Sequence, residues 1–145
     1  MQSYDIYAIY ELMITPSNKK GEMIIEEINK LEQKLEPNLN IVRDLITLGA
    51  NLDWQDKEDG STALHRCAGR GNSPEIARML IDAGADVNIQ DNYGRTALHY
   101  CGRYDHSEIA RMLINAGADM NILNNVGQLP YEFINIQYLE KLLKV

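Results

Sequence analysis

The sequence predicts an all-α solenoid of helix-turn-helix units, and three observations carry the prediction. Residues 60–91 (GSTALHRCAGRGNSPEIARMLIDAGADVNIQD) are followed by a near copy at 94–124 (GRTALHYCGRYDHSEIARMLINAGADMNILN). The interval is 34 residues from Gly60 to Gly94 and 33 from Gly94 to Gly127, where a degenerate copy (GQLPYEF) begins. Within each copy, Ile76, Leu80 and Ile81, and likewise Ile109, Leu113 and Ile114, fall on one side of a 3.6-residue helix. A short helix pair cannot bury its own apolar faces, so stacking of at least three units is expected.

The elements follow in order. Thr62 and Thr96 can cap a first helix, and Ser73-Pro74 and Ser107-Glu108 mark the start of a second, with proline suited to the first helical position. Gly84 and Gly117 supply the left-handed stop, with Gly49 earlier in the same series. Upstream, residues 22–35 form an amphipathic helix with Ile24, Ile28, Leu31 and Leu35 on one side, ended by Pro37; Ile41, Val42, Leu45 and Ile46 make a second stripe. Residues 21–55 are therefore expected to form a divergent N-terminal capping unit. Residues 56–90 and 91–123 are the matched repeats, and 124–145 a C-terminal cap with Tyr138, Leu142 and Leu143 on its stripe. Residues 1–20 hold Tyr4, Tyr7 and Tyr10 at helical spacing, which predicts either an additional helix packed on the first unit or a detachable arm, followed by a Thr15-Pro16-Ser17-Asn18 linker.

These residues closely resemble the ankyrin repeat family. Its pattern appears as Asp91, Gly94, Thr96, Leu98, His99, Ile109, Leu113, Ile114 and GADMN (117–121), and the preceding copy ends in GADVN (84–88). Ala63 and Ala97 stand where the family usually has proline, and single extra residues occur near 56–59 and 70–73. The resemblance implies β-turn fingers and a concave face, formed by finger tips and first helices, that binds a protein partner. Carried over residue by residue, the finger positions are Glu58, Asp59, Ser61, Asn92, Tyr93, Arg95, Asn125, Val126 and Gln128. The first-helix positions are Arg66, Arg70, Tyr100, Arg103 and Tyr104. Tyr and Arg are enriched at interface hot spots, which singles out Tyr93, Arg95, Tyr100, Arg103 and Tyr104, with Arg66 and Asn92 beside them. Trp54 takes the slot later filled by Ile89 and Ile122, and it either fills an edge between fingers or anchors a partner. The resemblance also raises Asn88 and Asn121 as asparaginyl-hydroxylase substrates, against the simpler expectation that their side chains bond the finger backbone.

Other chemistries find little support. His65-x-Cys67 and His99-x-Cys101 offer a zinc-like set of ligand types, but side chains at i and i+2 of a helix point about 200° apart and cannot converge. Both thiols are expected to be buried and inert, in line with a reducing compartment. No nucleophile, base and orienting group stand together, and no catalytic residue, metal or cofactor is assigned. The chain has 14 Lys and Arg against 21 Asp and Glu, a net charge of −7, which disfavours nucleic-acid binding. It shows neither a membrane-spanning apolar run nor a signal-peptide pattern, so a monomeric cytoplasmic protein without membrane contact is expected. Its abundant Ile, Asn and Lys suggest an AT-rich genome, such as that of an intracellular microbe or virus, for which the compartment would be the host cytoplasm. The expected function is non-catalytic binding of a protein partner of unknown identity. The alternatives are a scaffolding or oligomerising module acting through its N-terminal helix or end caps, and a zinc protein using the His-x-Cys pairs.

Overall fold

A computed structural model describes residues 6–71, 73–104 and 106–133. Helix α1 (Ile6–Ile14) precedes three helix pairs: α2 (Ser17–Asn29) with α3 (Leu39–Thr47), α4 (Ala63–Arg66) with α5 (Pro74–Asp82), and α6 (Ala97–Tyr104) with α7 (Ser107–Asn115). Single turns of tighter helix at Lys30–Gln33 and Pro130–Phe133, and a wider-wound turn at Cys67–Gly71 that continues α4 and breaks at Gly69, complete the described elements, among which there is no strand. First helices stack α2 on α4 on α6, and second helices stack α3 on α5 on α7. The solenoid thus has two rows of helices with the apolar side chains between them.

That filling is continuous from unit to unit. Ile24, Ile28, Leu45, Leu64, Ile76, Leu80, Leu98, Ile109 and Leu113 are all essentially inaccessible. The stripes sit slightly rotated from their expected positions. Ala77, Ala110 and Met112 are buried with Ile76, Leu80, Ile109 and Leu113, while Ile81 and Ile114 lie half-buried at the margin. Small alanines on the inner face let successive second helices approach closely, which moves the contact line by one position along the helix.

The caps anticipated from sequence are built as follows. Thr62 Oγ1 accepts the His65 N–H, and the His65 ring in turn accepts the Thr62 N–H, a reciprocal box at the start of α4. Ser73 Oγ accepts the Ile76 N–H. Helix α7 has His106 as its N-cap residue, with no side-chain cap bond, and Ser107 is its first helical residue. Gly84 and Gly117 close α5 and α7 with φ of +93° and +92°.

The N-terminal unit departs from expectation in two places. Helix α2 begins at Ser17, so Ser17 and Asn18 are helical and not linker; Pro16 precedes the helix with its carbonyl accepting the Lys20 N–H at 3.0 Å. The long upstream helix also ends earlier than Pro37, because Lys34 takes a left-handed conformation (φ 59°) that turns the chain out and leaves Leu35 exposed. Two buried charges then fasten α2 to α3. Lys20 Nζ donates to the Leu48 carbonyl at 2.6 Å, at the negative end of α3. Glu27 Oε2 accepts the Asn38 N–H at 3.0 Å, ahead of its first turn.

Helix α1 has no fully buried residue: Leu12 packs on the core and, with Ile9, faces Asp44, Thr47 and Leu48 near the end of α3. Tyr4 of the tyrosine series, Asn72 in the loop before α5, and Tyr138, Leu142 and Leu143 of the expected C-terminal cap lie outside the described residues. Among the described residues no helix is long and apolar enough to cross a membrane.

Candidate functional site

Three fingers project between the helix pairs, and their side chains and backbone tie them together. Gln55 Nε2 donates both to its own finger at the Gly60 carbonyl and to the Gln90 carbonyl of the next; Gln90 repeats this with Gly94 and Leu123. Backbone bonds run from the Asn92 N–H to the Asp59 carbonyl and from the Asn125 N–H to the Tyr93 carbonyl. Asn88 Oδ1 accepts the Asp119 N–H at 2.7 Å, so its side chain bonds the backbone of the next finger, in keeping with the simpler expectation.

Asp91 organises the central finger. Its carboxylate is buried and accepts the Tyr93 and Arg95 N–H groups on Oδ1, each at 2.9 Å, and the Tyr100 hydroxyl on Oδ2 at 2.5 Å. Fixing Tyr100 fixes the ring against which Arg95 lies. The Arg95 guanidinium sits 5.2 Å from the centre of the Tyr93 ring and 5.8 Å from that of Tyr100, within cation–π range of both. One turn further along α6, Arg103 lies 6.0 Å from the Tyr104 ring centre, and Tyr104 stacks on His106 at 6.0 Å. Burial, reinforced by the bond to Asp91, pushes the Tyr100 hydroxyl up to about 12, so it remains a neutral donor.

The neighbouring unit supplies the other wall. Asp59, Ser61, His65, Arg66, Gly69, Tyr100 and Tyr104 line an open groove of about 280 Å³, with Glu32 at its far edge. Arg66 is held by Asp59 at 2.9 Å and Asp56 at 3.9 Å. The structure therefore brings Arg66, Tyr100 and Tyr104 into one groove; Tyr93, Arg95 and Arg103 do not line it, but Arg95 lies by the Tyr93 and Tyr100 rings and Arg103 by the Tyr104 ring. Asn92 is exposed, and its amide donates to the Glu58 carbonyl of the previous finger at 3.4 Å. Trp54 stands apart: it is half-buried against the core, and a Cβ at Gly21 of α2 would come within 2.9 Å of its Cβ. Ser61, expected at a variable surface position, is buried. The side chain of Arg70 lies outside the described residues.

Sequence reasoning missed Glu32 and His106 as neighbours of this groove, since neither occupies a repeated position. The reach of the repeat histidines to the next finger was not foreseen. His65 Nδ1 accepts the Thr62 N–H at 3.0 Å, so Nε2 carries the proton and donates to the Arg95 carbonyl at 2.8 Å. His99 repeats the arrangement with Thr96 and the Gln128 carbonyl, both at 3.0 Å. Both ring nitrogens of each histidine are thus engaged by backbone. Cys67 and Cys101 are buried free thiols; desolvation raises both, that of Cys101 to about 12. Among the described residues no group of three or more His, Cys, Asp or Glu side chains could hold a metal ion.

Stacked helix pairs joined by hydrogen-bonded fingers over a groove define a helical-repeat solenoid of the kind whose surface is a binding face. The chain belongs to the ankyrin repeat family: the family model described as "Ankyrin repeats (3 copies)" matches residues 33–124, more than half of the chain. Ankyrin repeats are generally protein–protein interaction modules. The chain is similar to neurogenic locus notch homolog protein 2 of Homo sapiens, 44% identical over 68 residues that make up 47% of this chain. It is also similar to neurogenic locus notch homolog protein 1 of Danio rerio, 43% identical over 68 residues, and of Homo sapiens, 41% identical over 88 residues or 61% of this chain. In each case the matched segment is 3% of the relative's length.

Proposed function

We propose that this chain is a non-catalytic, monomeric cytoplasmic module that binds a protein partner through the groove between the second and third units. Tyr93, Arg95, Tyr100, Arg103, Tyr104 and Arg66 make the contacts, with Asn92 on the adjoining finger; Trp54, apart from the groove, would be a separate contact. The observation that carries this reading is the placement of Arg95 between the Tyr93 and Tyr100 rings, with Tyr100 anchored to buried Asp91. Large side chains already held in place lose little conformational freedom on binding, which is the property that makes a residue an interface anchor. The test is site-specific photo-cross-linking, with a benzophenone amino acid at position 93 or, on the second-helix row, at Arg111. Adducts from position 93 and none from 111 support the groove; the reverse pattern contradicts it.

A second reading rests on α1. Ile6, Tyr7, Tyr10, Met13 and Ile14 are all more than half exposed there, an apolar face suited to scaffolding or self-association. Deleting residues 1–15 would abolish association on that reading and leave it unchanged on the groove reading, as followed by analytical ultracentrifugation and capture.

A further inference from the structure

We infer that the groove's partner presents an acidic, extended peptide segment whose carboxylates pair with Arg95 and Arg103; this rests on the groove reading and adds the chemistry of its occupant. Charge along the groove is divided unequally. At the second-unit end, Arg66 is already neutralised by Asp59 and Asp56. At the third-unit end, neither Arg95 nor Arg103 makes an ion pair among the described residues, and each lies instead near aromatic rings. The nearest buried carboxylate, Asp91, is occupied by two backbone N–H groups and the Tyr100 hydroxyl and does not reach the Arg95 guanidinium within ion-pair distance.

Arg103, exposed beside the Tyr104 ring, has its planar edge open for two parallel bonds to a carboxylate, whereas Arg95 also engages the Tyr100 hydroxyl and offers its remaining N–H groups; a guanidinium also loses less hydration than an ammonium would. Arg95, in the finger ahead of α6, lies 5.8 Å from the Tyr100 ring, and Arg103, on α6, lies 6.0 Å from the ring of Tyr104, one turn beyond Tyr100; an extended segment running along this tyrosine pair passes both cations. The exposed Tyr93 ring and the half-buried Tyr104 ring supply apolar surface beside them. Exposed Glu32, across the groove, repels an acidic residue at the opposite wall and so sets the segment's placement toward the third unit. The overall charge of −7 does not oppose this, because screening limits distant charges to about 8 Å at physiological salt.

The test selects a phage-displayed library of random dodecapeptides on the full chain, then measures each selected peptide by fluorescence anisotropy against wild type and variants that melt at the wild-type temperature. Wild type is expected to enrich peptides with adjacent or alternate Asp and Glu. These should bind Arg95→Gln/Arg103→Gln at least about tenfold more weakly, as loss of charge-assisted bonds implies. Arg103→Glu should shift the selection toward Lys and Arg. Peptides that need Tyr93 and Tyr104 but are neutral or basic, or ignore the arginine changes, would overturn the acidic segment and leave the groove reading standing. Selected peptides indifferent to both the tyrosine and the arginine changes would overturn both, and no enrichment at all would overturn the acidic segment.

Discussion

His65 and Arg95 lie 30 residues apart and are joined by a 2.8 Å bond from the imidazole Nε2–H to the backbone carbonyl. The same ring accepts the Thr62 N–H, so one side chain caps its own helix and fastens the next finger. Position 95 also carries the guanidinium that lies by the Tyr93 and Tyr100 rings, so the histidine holds the backbone beneath a candidate contact. Replacing His65 by Ala strands the buried Thr62 N–H and the partly buried Arg95 carbonyl together. We expect a loss of about 2 to 3 kcal/mol in urea unfolding, from the cost of unsatisfied buried groups. A change below about 0.5 kcal/mol, the range of inert surface substitutions, would contradict the strut.

Acid should loosen the stack before the carboxylates titrate. Burial lowers the pKa of both His65 and His99 from 6.5, so each is neutral when folded and takes up protons more readily when unfolded. A depressed histidine contributes its stability fully above 6.5, and that contribution falls as the pH drops below 6.5 toward the folded value. The melting temperature should be level from pH 8 to 7 and decline below 6.5, with a shallower decline in His99→Asn. An identical slope in that variant would contradict the assignment.

Core and surface should separate clearly. Leu113 is inaccessible, and Leu113→Ala should cost about 2 to 5 kcal/mol in the same unfolding assay. Val126 is 76% exposed, and Val126→Ala should change stability by less than about 0.5 kcal/mol.

Two glycines with similar backbone angles should respond differently. Gly94 (φ +74°) lies against the next finger, where a Cβ would meet the Asn125 nitrogen at 2.7 Å, whereas Gly117 (φ +92°) faces nothing within 4 Å. Gly117→Ala should cost only the left-handed penalty, about 1 to 2 kcal/mol. Gly94→Ala should cost more, because the Asn125 bond to Tyr93 must also move.

The thiols should be silent in the folded protein. Cys101, raised to about 12, and the fully buried Cys67 should fail to react with an aromatic disulfide reagent at pH 8 and react stoichiometrically in guanidinium. Rapid labelling of native protein would contradict the burial.

Much of this was legible in the sequence because repetition makes each position appear twice. The glycine stops, the threonine caps and the apolar stripes all recur, and their meaning follows from helical periodicity alone. The 17–35 region had no copy to compare, so the left-handed Lys34 and the early start of α2 at Ser17 left no readable signal. In the groove, Tyr100 and Tyr104 share a helix face and could be paired from spacing. Glu32 could not, since its approach depends on how the divergent first unit stacks. Trp54 illustrates the same limit: its slot was visible, but its contact with Gly21 depends on a helix that begins earlier than periodicity suggested.

The most direct test of the central claim is affinity capture from lysate of the source or its host, comparing wild type with Tyr93→Ala/Tyr104→Ala by quantitative mass spectrometry. Both side chains have substantial solvent access, so the double variant should melt within a few degrees of wild type. A protein captured by wild type should be depleted at least about tenfold by the variant, as removal of two anchors requires. A protein retained equally by both would contradict the groove as the binding site.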